Sequence, residues 1–407
     1  MPCSYIAPTD QEDAPRTTPM SSASPAQSPF PGQLRVNEDH SRDAAHGNDQ
    51  RQSGNELQLL GLLPSTPQDT PILNAEDWAL DLELMHHFLT STCNTLTLRE
   101  DSRHVWRVVM PTEGYGNRYL MHGLLAIGAL HRAYLYSDPA QKEKYIKASA
   151  YHLATGLKEF RELITAPIDP NNWQPVFCFS SMISIHLTGS SIRLGIPQWP
   201  SPIENMVELF TSVAGFQAIM KPFLHHLSKT QLAPLANSVW IESDYIVPSP
   251  SLAAQSLLPP DIWTQISHLH RLIDDYPFPE PEEPTNPSPL SDSDPHEQPP
   301  DHRGHYKIAL KFYEHATRQL ELAGPHVESG MVFLWVYPLS KQFHEDVLAY
   351  HPAALALLAH YCVLLRAIDH FWYVNGIGRQ LLTDIESKMH PGFREWLVWP
   401  RKWVLER

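Results

Sequence analysis

The stretch from His351 to Pro400, HPAALALLAHYCVLLRAIDHFWYVNGIGRQLLTDIESKMHPGFREWLVWP, limits what the rest of the chain can become. Pro352 suits a first helical position, because it has no N–H to leave unpaired there. After it, Leu355, Leu358, Ala359, Cys362, Leu365, Ile368, Asp369 and Trp372 recur at three- and four-residue steps, the period of one face of an α-helix. Leu357, Val363 and Leu364 place apolar side chains on the other faces. The helix is therefore expected to be buried nearly all round, in the middle of an all-α body. Gly376 and Gly378 are expected to end it, since glycine adopts left-handed backbone angles without steric cost. A second helix, Arg379–Met389, and a Trp-rich end (Trp396, Trp399, Trp403) would then fold back onto it.

Such a body needs a soluble, reducing setting, and composition agrees. The four cysteines, Cys3, Cys93, Cys178 and Cys362, lie far apart, without metal-ligand spacing. They read as free thiols rather than a disulfide framework. The start, MPCSYIAPTDQEDAP, has neither a basic nor an apolar leader region, and no apolar run reaches the roughly 18 residues a membrane span needs. A soluble intracellular protein is the expectation. Nucleic-acid affinity comes mostly from Lys and Arg neutralising phosphates, and a chain of net charge −15 with no basic run shows no such module.

Four regions follow from the pattern along the chain. Residues 1–75, rich in Pro, Ser, Asp, Gln and Thr, cannot bury enough apolar surface to offset their ordering entropy and are expected to be disordered. Within them Leu59, Leu62 and Leu63 have the spacing of a short groove-docking helix, or of a leucine stretch folded back on the body. Residues 76–276 form a first helical part. The spacing predicts helices at Trp78–Thr97, Ser102–Val109, Arg118–Leu135, Ala140–Thr165, Asn172–Leu187 (delayed or kinked by Pro175), Glu204–Met220, Phe223–Ser228 and Asp261–Tyr276. In Arg118–Leu135 the small residues Gly123, Ala126, Gly128, Ala129 and Ala133 let neighbouring backbones approach. Residues 277–303 hold nine prolines and seven acidic residues, a disordered or extended insert. Residues 304–407 form a second helical part of the same domain, with helices at His305–Leu322 and Met331–Tyr350 before the opening stretch. No period-2 alternation predicts a sheet.

Catalytic motifs fail residue by residue. His344-Glu345 has Leu348 where HExxH needs its second imidazole. Asp274-Asp275 has Phe278 where a third magnesium-binding carboxylate would stand. Thr188-Gly189-Ser190-Ser191 lacks the glycine pair of a nucleophile elbow. Adjacent His86 and His87 diverge by about 100° on a helix and cannot easily share an ion.

Three segments carry a resemblance: Asp81–Leu98 (DLELMHHFLTSTCNTLTL), Tyr119–Leu130 (YLMHGLLAIGAL) and the C-terminal HFWYVNG with WLVWP. In that order they resemble the fungal-specific transcription-factor domain of regulators of the sterol uptake control type, over roughly Asp77–Pro400. The resemblance implies an all-α regulatory domain, nuclear or else cytoplasmic, that holds an apolar, sterol-like ligand and forms a homo- or heterodimer with a zinc-cluster regulator. It also implies an N-terminal six-cysteine zinc cluster. Only Cys3 precedes Cys93 here, so no zinc cofactor and no direct DNA contact is expected of this chain. Two accounts stay open: pairing with a complete relative, or an upstream zinc-cluster exon outside this sequence.

Bulky apolar and single polar positions nominate a ligand lining: Met121, Leu125, Phe177, Met182, His186, Phe333, Trp335, Phe371 and Trp372. The same residue types at helical spacing are also what an ordinary core requires. The alternatives to a regulator are an enzyme of secondary metabolism, with His86, His186, His360 and Asp369 turned inward, or a scaffold built on the same body. Arg366 and Asp369, three apart, would pair structurally.

Overall fold

Proline or a capping side-chain oxygen starts several of the long helices. In the computed structural model, which describes residues 78–189, 200–237, 256–278 and 301–406, the first helix is α1 (Trp78–Thr90). A bent unit follows, in which α2 (Glu100–His104) and α3 (Met110–Gly116) flank a π-helical turn, Val105–Val109. Next come α4 (Arg118–Leu135) and α5 (Pro139–Ile164), the latter with Pro139 in its first turn and Asp138 accepting from Gln141 N. Then follow α6 (Trp173–Thr188) and α7 (Pro202–Met220). A capping box opens α7: Glu204 N donates to Ser201 Oγ while Ser201 N donates to Glu204 Oε2. Short α8 (Leu224–Leu227) and α9 (Ala233–Asn237) precede α10 (Ile262–Asp275). Beyond the insert lie α11 (His302–Ala323, capped by Asp301), α12 (Ser329–Phe333), α13 (Lys341–Leu348, capped by Ser340), α14 (Pro352–Ala367), α15 (Ile377–Lys388) and α16 (Val398–Val404). Among the described residues there is no strand, and no single helix is long and apolar enough to cross a membrane. The fold is all-α.

Two helices act as hubs. α4 packs against α1, α5 and α6; α14 packs against α10, α11, α13, α15 and α16. Every residue of α14 from Ala353 to Leu365 is buried, as its apolar faces require. Close backbone approach uses glycine at both hubs. A Cβ on Gly128 of α4 would stand 2.9 Å from the Leu84 carbonyl of α1, and one on Gly378 of α15 would stand 2.8 Å from the Cys362 carbonyl of α14. Between the hubs, α7 packs against α6, α13 and α15.

Several boundaries differ from those expected, each for a local reason. α1 stops at Thr90 and gives way to a 3-10 turn, Thr92–Thr95. The unit containing Trp106 runs on to Gly116, past the end expected at Val109. Pro175 falls in the first turn of α6, where its missing N–H costs nothing. The helix expected over Met331–Tyr350 is broken by a 3-10 turn (Leu334–Val336) and restarts at Ser340. It ends in a Schellman motif: His351 N donates to Asp346 O, Tyr350 N donates to Val347 O, and Tyr350 takes φ 57° where glycine is usual. α14 ends at Ala367, well before Gly376. There Asp369 accepts from Arg366 Nη1 (2.8 Å) and Gly376 N (2.6 Å), the structural pairing expected of it. α11 begins at His302, three residues earlier than its periodicity suggested. The readings of residues 1–75, including the Leu57–Leu63 island, and of residues 279–300 lie outside the described residues.

Candidate functional site

A cavity of about 170 Å³ lies where α6, α7, the π turn and α12 converge. Its walls are mostly apolar. Phe177 and Ile185 come from α6, Leu209, Val213 and Phe216 from α7, Trp106 from the π turn, and Leu96, Leu235, Phe333, Tyr337 and Tyr373 complete the lining. The π turn offsets the helix by one residue at Trp106, a local distortion frequent beside functional sites.

Two polar features interrupt this lining. Along α6, Ser181, Ser184 and Thr188 fall three and four residues apart, so their hydroxyls share one face. Each hydroxyl donates back to its own helix: Ser181 Oγ to Phe177 O (2.9 Å), Ser184 Oγ to Ser180 O (3.3 Å), Thr188 Oγ1 to Ser184 O (3.0 Å) and Ile185 O (2.9 Å). Their protons are committed; their lone pairs are the polar groups left for the cavity.

At the other end stands Glu328, 4% exposed. Its carboxylate accepts from Thr97 Oγ1, Leu98 N and Arg99 N, each at 2.9 Å. Burial pushes its pKa up, against the downward pull of these hydrogen bonds. Beside it Tyr373 donates to Ser329 Oγ (2.7 Å) and also reaches the Leu96 carbonyl (3.3 Å), and Trp372 Nε1 donates to Thr95 Oγ1 (2.9 Å). Residues 95–99 of the first helical part are thus clasped by residues 328–373 of the second. The cavity opens against that seam.

Of the nine residues nominated from sequence, Phe177 and Phe333 line this cavity. The other seven are placed elsewhere. Leu125 and Met182 are buried, Met182 against Gly123 between α4 and α6, and Met121 packs half-buried on the core. His186 is buried against Ser149; that hydroxyl donates to Ala126 O (2.8 Å), so the imidazole Nε2–H donates to Ser149 Oγ (3.0 Å). Trp335 is fully buried, donating to Ala309 O (2.9 Å) and lying on the Tyr361 ring. Phe371 is core, and Trp372 stacks on His131. Volume-filling aromatics belong to the core because full burial rewards them most. The site-forming residues that sequence reasoning missed are Ser181, Ser184, Thr188 and Glu328. The first three were visible as a hydroxyl stripe within an apolar helix; Glu328 carried no local signal.

The residues nominated for catalysis do not converge. His86 is exposed, and Asp369 caps a helix end. His360 is buried within α14, donating from Nδ1 to Ala356 O (2.8 Å), and burial lowers its pKa to about 4. The cavity lining contains no Lys, Arg, His or Cys. Cys93, Cys178 and Cys362 are buried free thiols. Among the described residues no group of three or more His, Cys, Asp or Glu side chains could hold a metal ion.

Comparison with known proteins agrees with this picture. Residues 83–193, which run from α1 past the end of α6, match the model of the fungal specific transcription factor domain. A Zn(2)-C6 fungal-type transcription factor from Gibberella zeae is 25% identical over 351 residues, covering 83% of this chain. The chain spans 64% of that relative's length. The first description names a fungal specific transcription factor domain and the second a Zn(2)-C6 factor; neither names the sterol-uptake subtype that the C-terminal motifs resemble.

Proposed function

We infer that this chain, whose residues 83–193 are similar to the fungal specific transcription factor domain, is the effector-sensing part of a nuclear transcription regulator of the fungal zinc-cluster type. The observation that carries the reading is the position of the cavity. Thr97, Glu328, Ser329 and Tyr373 both line it and belong to the seam between the two helical parts. A molecule bound there touches both parts at once, so it stabilises the closed seam by mass action. DNA contact, in this reading, comes from a zinc cluster on a dimer partner or on a segment outside this sequence. The lining offers hydroxyls, one engaged carboxylate and apolar surface but no nucleophile with an adjacent base, which favours sensing over turnover.

The test is localisation and co-purification of the native, full-length protein, with a reporter gene driven by its target promoters. The expected result is a nuclear pool attached to a zinc-cluster protein, with reporter output changed by Val213→Phe, which fills the cavity. A purely cytosolic, unpartnered protein whose cavity variant leaves transcription unaltered would sink the reading.

A further inference from the structure

The chemistry of the cavity restricts what can occupy it, and this inference rests on the effector-site reading above. An engineered apolar cavity of about 150 Å³ admits one benzene ring, whereas drug-sized ligands need about 300–1,000 Å³. At about 170 Å³ this one encloses a single ring with a short substituent; the four fused rings of a sterol would not fit wholly within it. No cation lines it, and the one acid, Glu328, has its carboxylate taken by three donors. A bound anion would lose its hydration without a counter-charge. The three α6 hydroxyls have committed their protons to helix carbonyls, so what they present to a guest is lone pairs. On that wall a guest whose only polar group is an acceptor finds no matching donor; the Tyr337 hydroxyl, elsewhere in the lining, is the O–H that could serve one.

We propose that the cavity binds a neutral, single-ring, apolar molecule bearing one hydrogen-bond donor, of the phenol or cyclic-alcohol class, with its O–H directed to Ser181 and Ser184. Calorimetric titration of the full chain with phenol, toluene and benzoate at pH 7 tests this. In a purely apolar cavity toluene outbinds phenol, because the buried hydroxyl goes unpaired. The expected result is saturable one-to-one binding in which phenol binds at least as tightly as toluene and benzoate does not bind. In Ser181→Ala/Ser184→Ala, phenol weakens about fivefold or more, while toluene is unchanged or tighter. Both serine hydroxyls bond only within α6 in the contacts above, so this variant keeps its fold, checked by its helical signal and melting curve. Val213→Phe supplies an independent arm, expected to abolish phenol and toluene binding alike. Equal loss of both ligands in the serine variant, undiminished phenol binding there, or benzoate binding as strongly as phenol each overturns the proposal. So does failure of all three probes to bind; the sensor reading is then judged separately, by the reporter response to Val213→Phe.

Discussion

The two hub helices solve the same packing problem with different chemistry. α14 is apolar on every face and meets its neighbours through leucine, alanine and one glycine contact; its buried polar side chains, His360 and the Tyr361 hydroxyl, bond to main-chain carbonyls. α4 is buried as thoroughly over its middle but is tied down by polar groups. Arg132 contacts Glu83 and Tyr145, His131 bonds Thr92 and stacks on Trp372, and His122 Nδ1 lies 3.0 Å from His152 Nδ1. His152 in turn reaches Asp81 at 3.2 Å. Buried neutral imidazoles lie in both hubs: His360 of α14 and His344 of the adjoining α13 on one side, His87, His131 and His152 on α1, α4 and α5 on the other. The α4 side carries three against two and should respond to acid somewhat more.

Acid gives the largest expected effect. Burial, the largest cause in each case, lowers His87, His131 and His152 to about 4 from an ordinary value of 6.5. The unfolded chain then binds protons between pH 6.5 and 4 that the folded one refuses, so their contribution is whole above pH 6.5 and lost as pH falls through that window. Three such groups give a slope of up to about 4 kcal/mol per pH unit near pH 5. Hydrogen exchange should show α1, α4 and α5 losing protection first in that window, with α13 and α14, which hold His344 and His360, following. Simultaneous loss in both hubs would erase the distinction.

Cavity creation is expected to rank the hub above the site. Leu358 of α14 is fully buried, and Leu358→Ala should cost about 4 kcal/mol in urea denaturation. Leu209→Ala, which enlarges a void already present, should cost about 2–3 kcal/mol, because that side chain packs against fewer atoms. Equal costs would mean that the cavity wall is as tightly packed as the hub.

The seam comes next. Glu328→Ala removes the acceptor of two backbone N–H groups and one hydroxyl and should cost about 3 kcal/mol, with Glu328→Gln losing less because its carbonyl can still serve Leu98 and Arg99. Thermal melts of the two variants order them. A Gln variant as damaged as the Ala variant would show that charge, rather than acceptor geometry, holds the seam.

These contrasts follow what could be read in the chain. The apolar hub was legible because periodicity reports burial directly, and Arg118–Leu135 was placed to the residue because Asn117 and Tyr136 leave helical geometry on either side. Gly128 was legible as a close-approach position. Lost were the places where distant partners overrule local pattern. Residues 368–375 look helical, yet Trp372 and Tyr373 are drawn off to Thr95, Leu96 and Ser329. Glu328 acts on residues about 230 positions away, so nothing near it in sequence marks its role. For the candidate cavity, bulk served as the signal, and most of the nominated bulky side chains lie in the core instead, Phe177 and Phe333 excepted. The hydroxyl stripe of α6 was the better clue, since a half-buried serine within an apolar helix needs something to face.

The smallest effect is expected from residues 279–300, and it bears on how independent the hubs are. The flanks of that segment are fastened to each other. Arg303 donates to the carbonyls of Ile273 (2.8 Å), Asp274 and Tyr276 (3.0 Å), closing the C-terminus of α10, and Phe278 lies on the Tyr306 ring with centroids 4.6 Å apart. The anchoring is made by described residues on either side, so replacing 279–300 with eight Gly/Ser residues keeps every contact just named. Shortening the closed loop lowers its closure entropy by about 1 kcal/mol, so the melting temperature should stay level or rise slightly, with phenol affinity unaltered. A fall of several degrees would mean that the segment itself supports the α10–α11 corner. Both helices touch α14, and the apolar hub would then depend on a stretch whose composition offers it almost nothing apolar to bury.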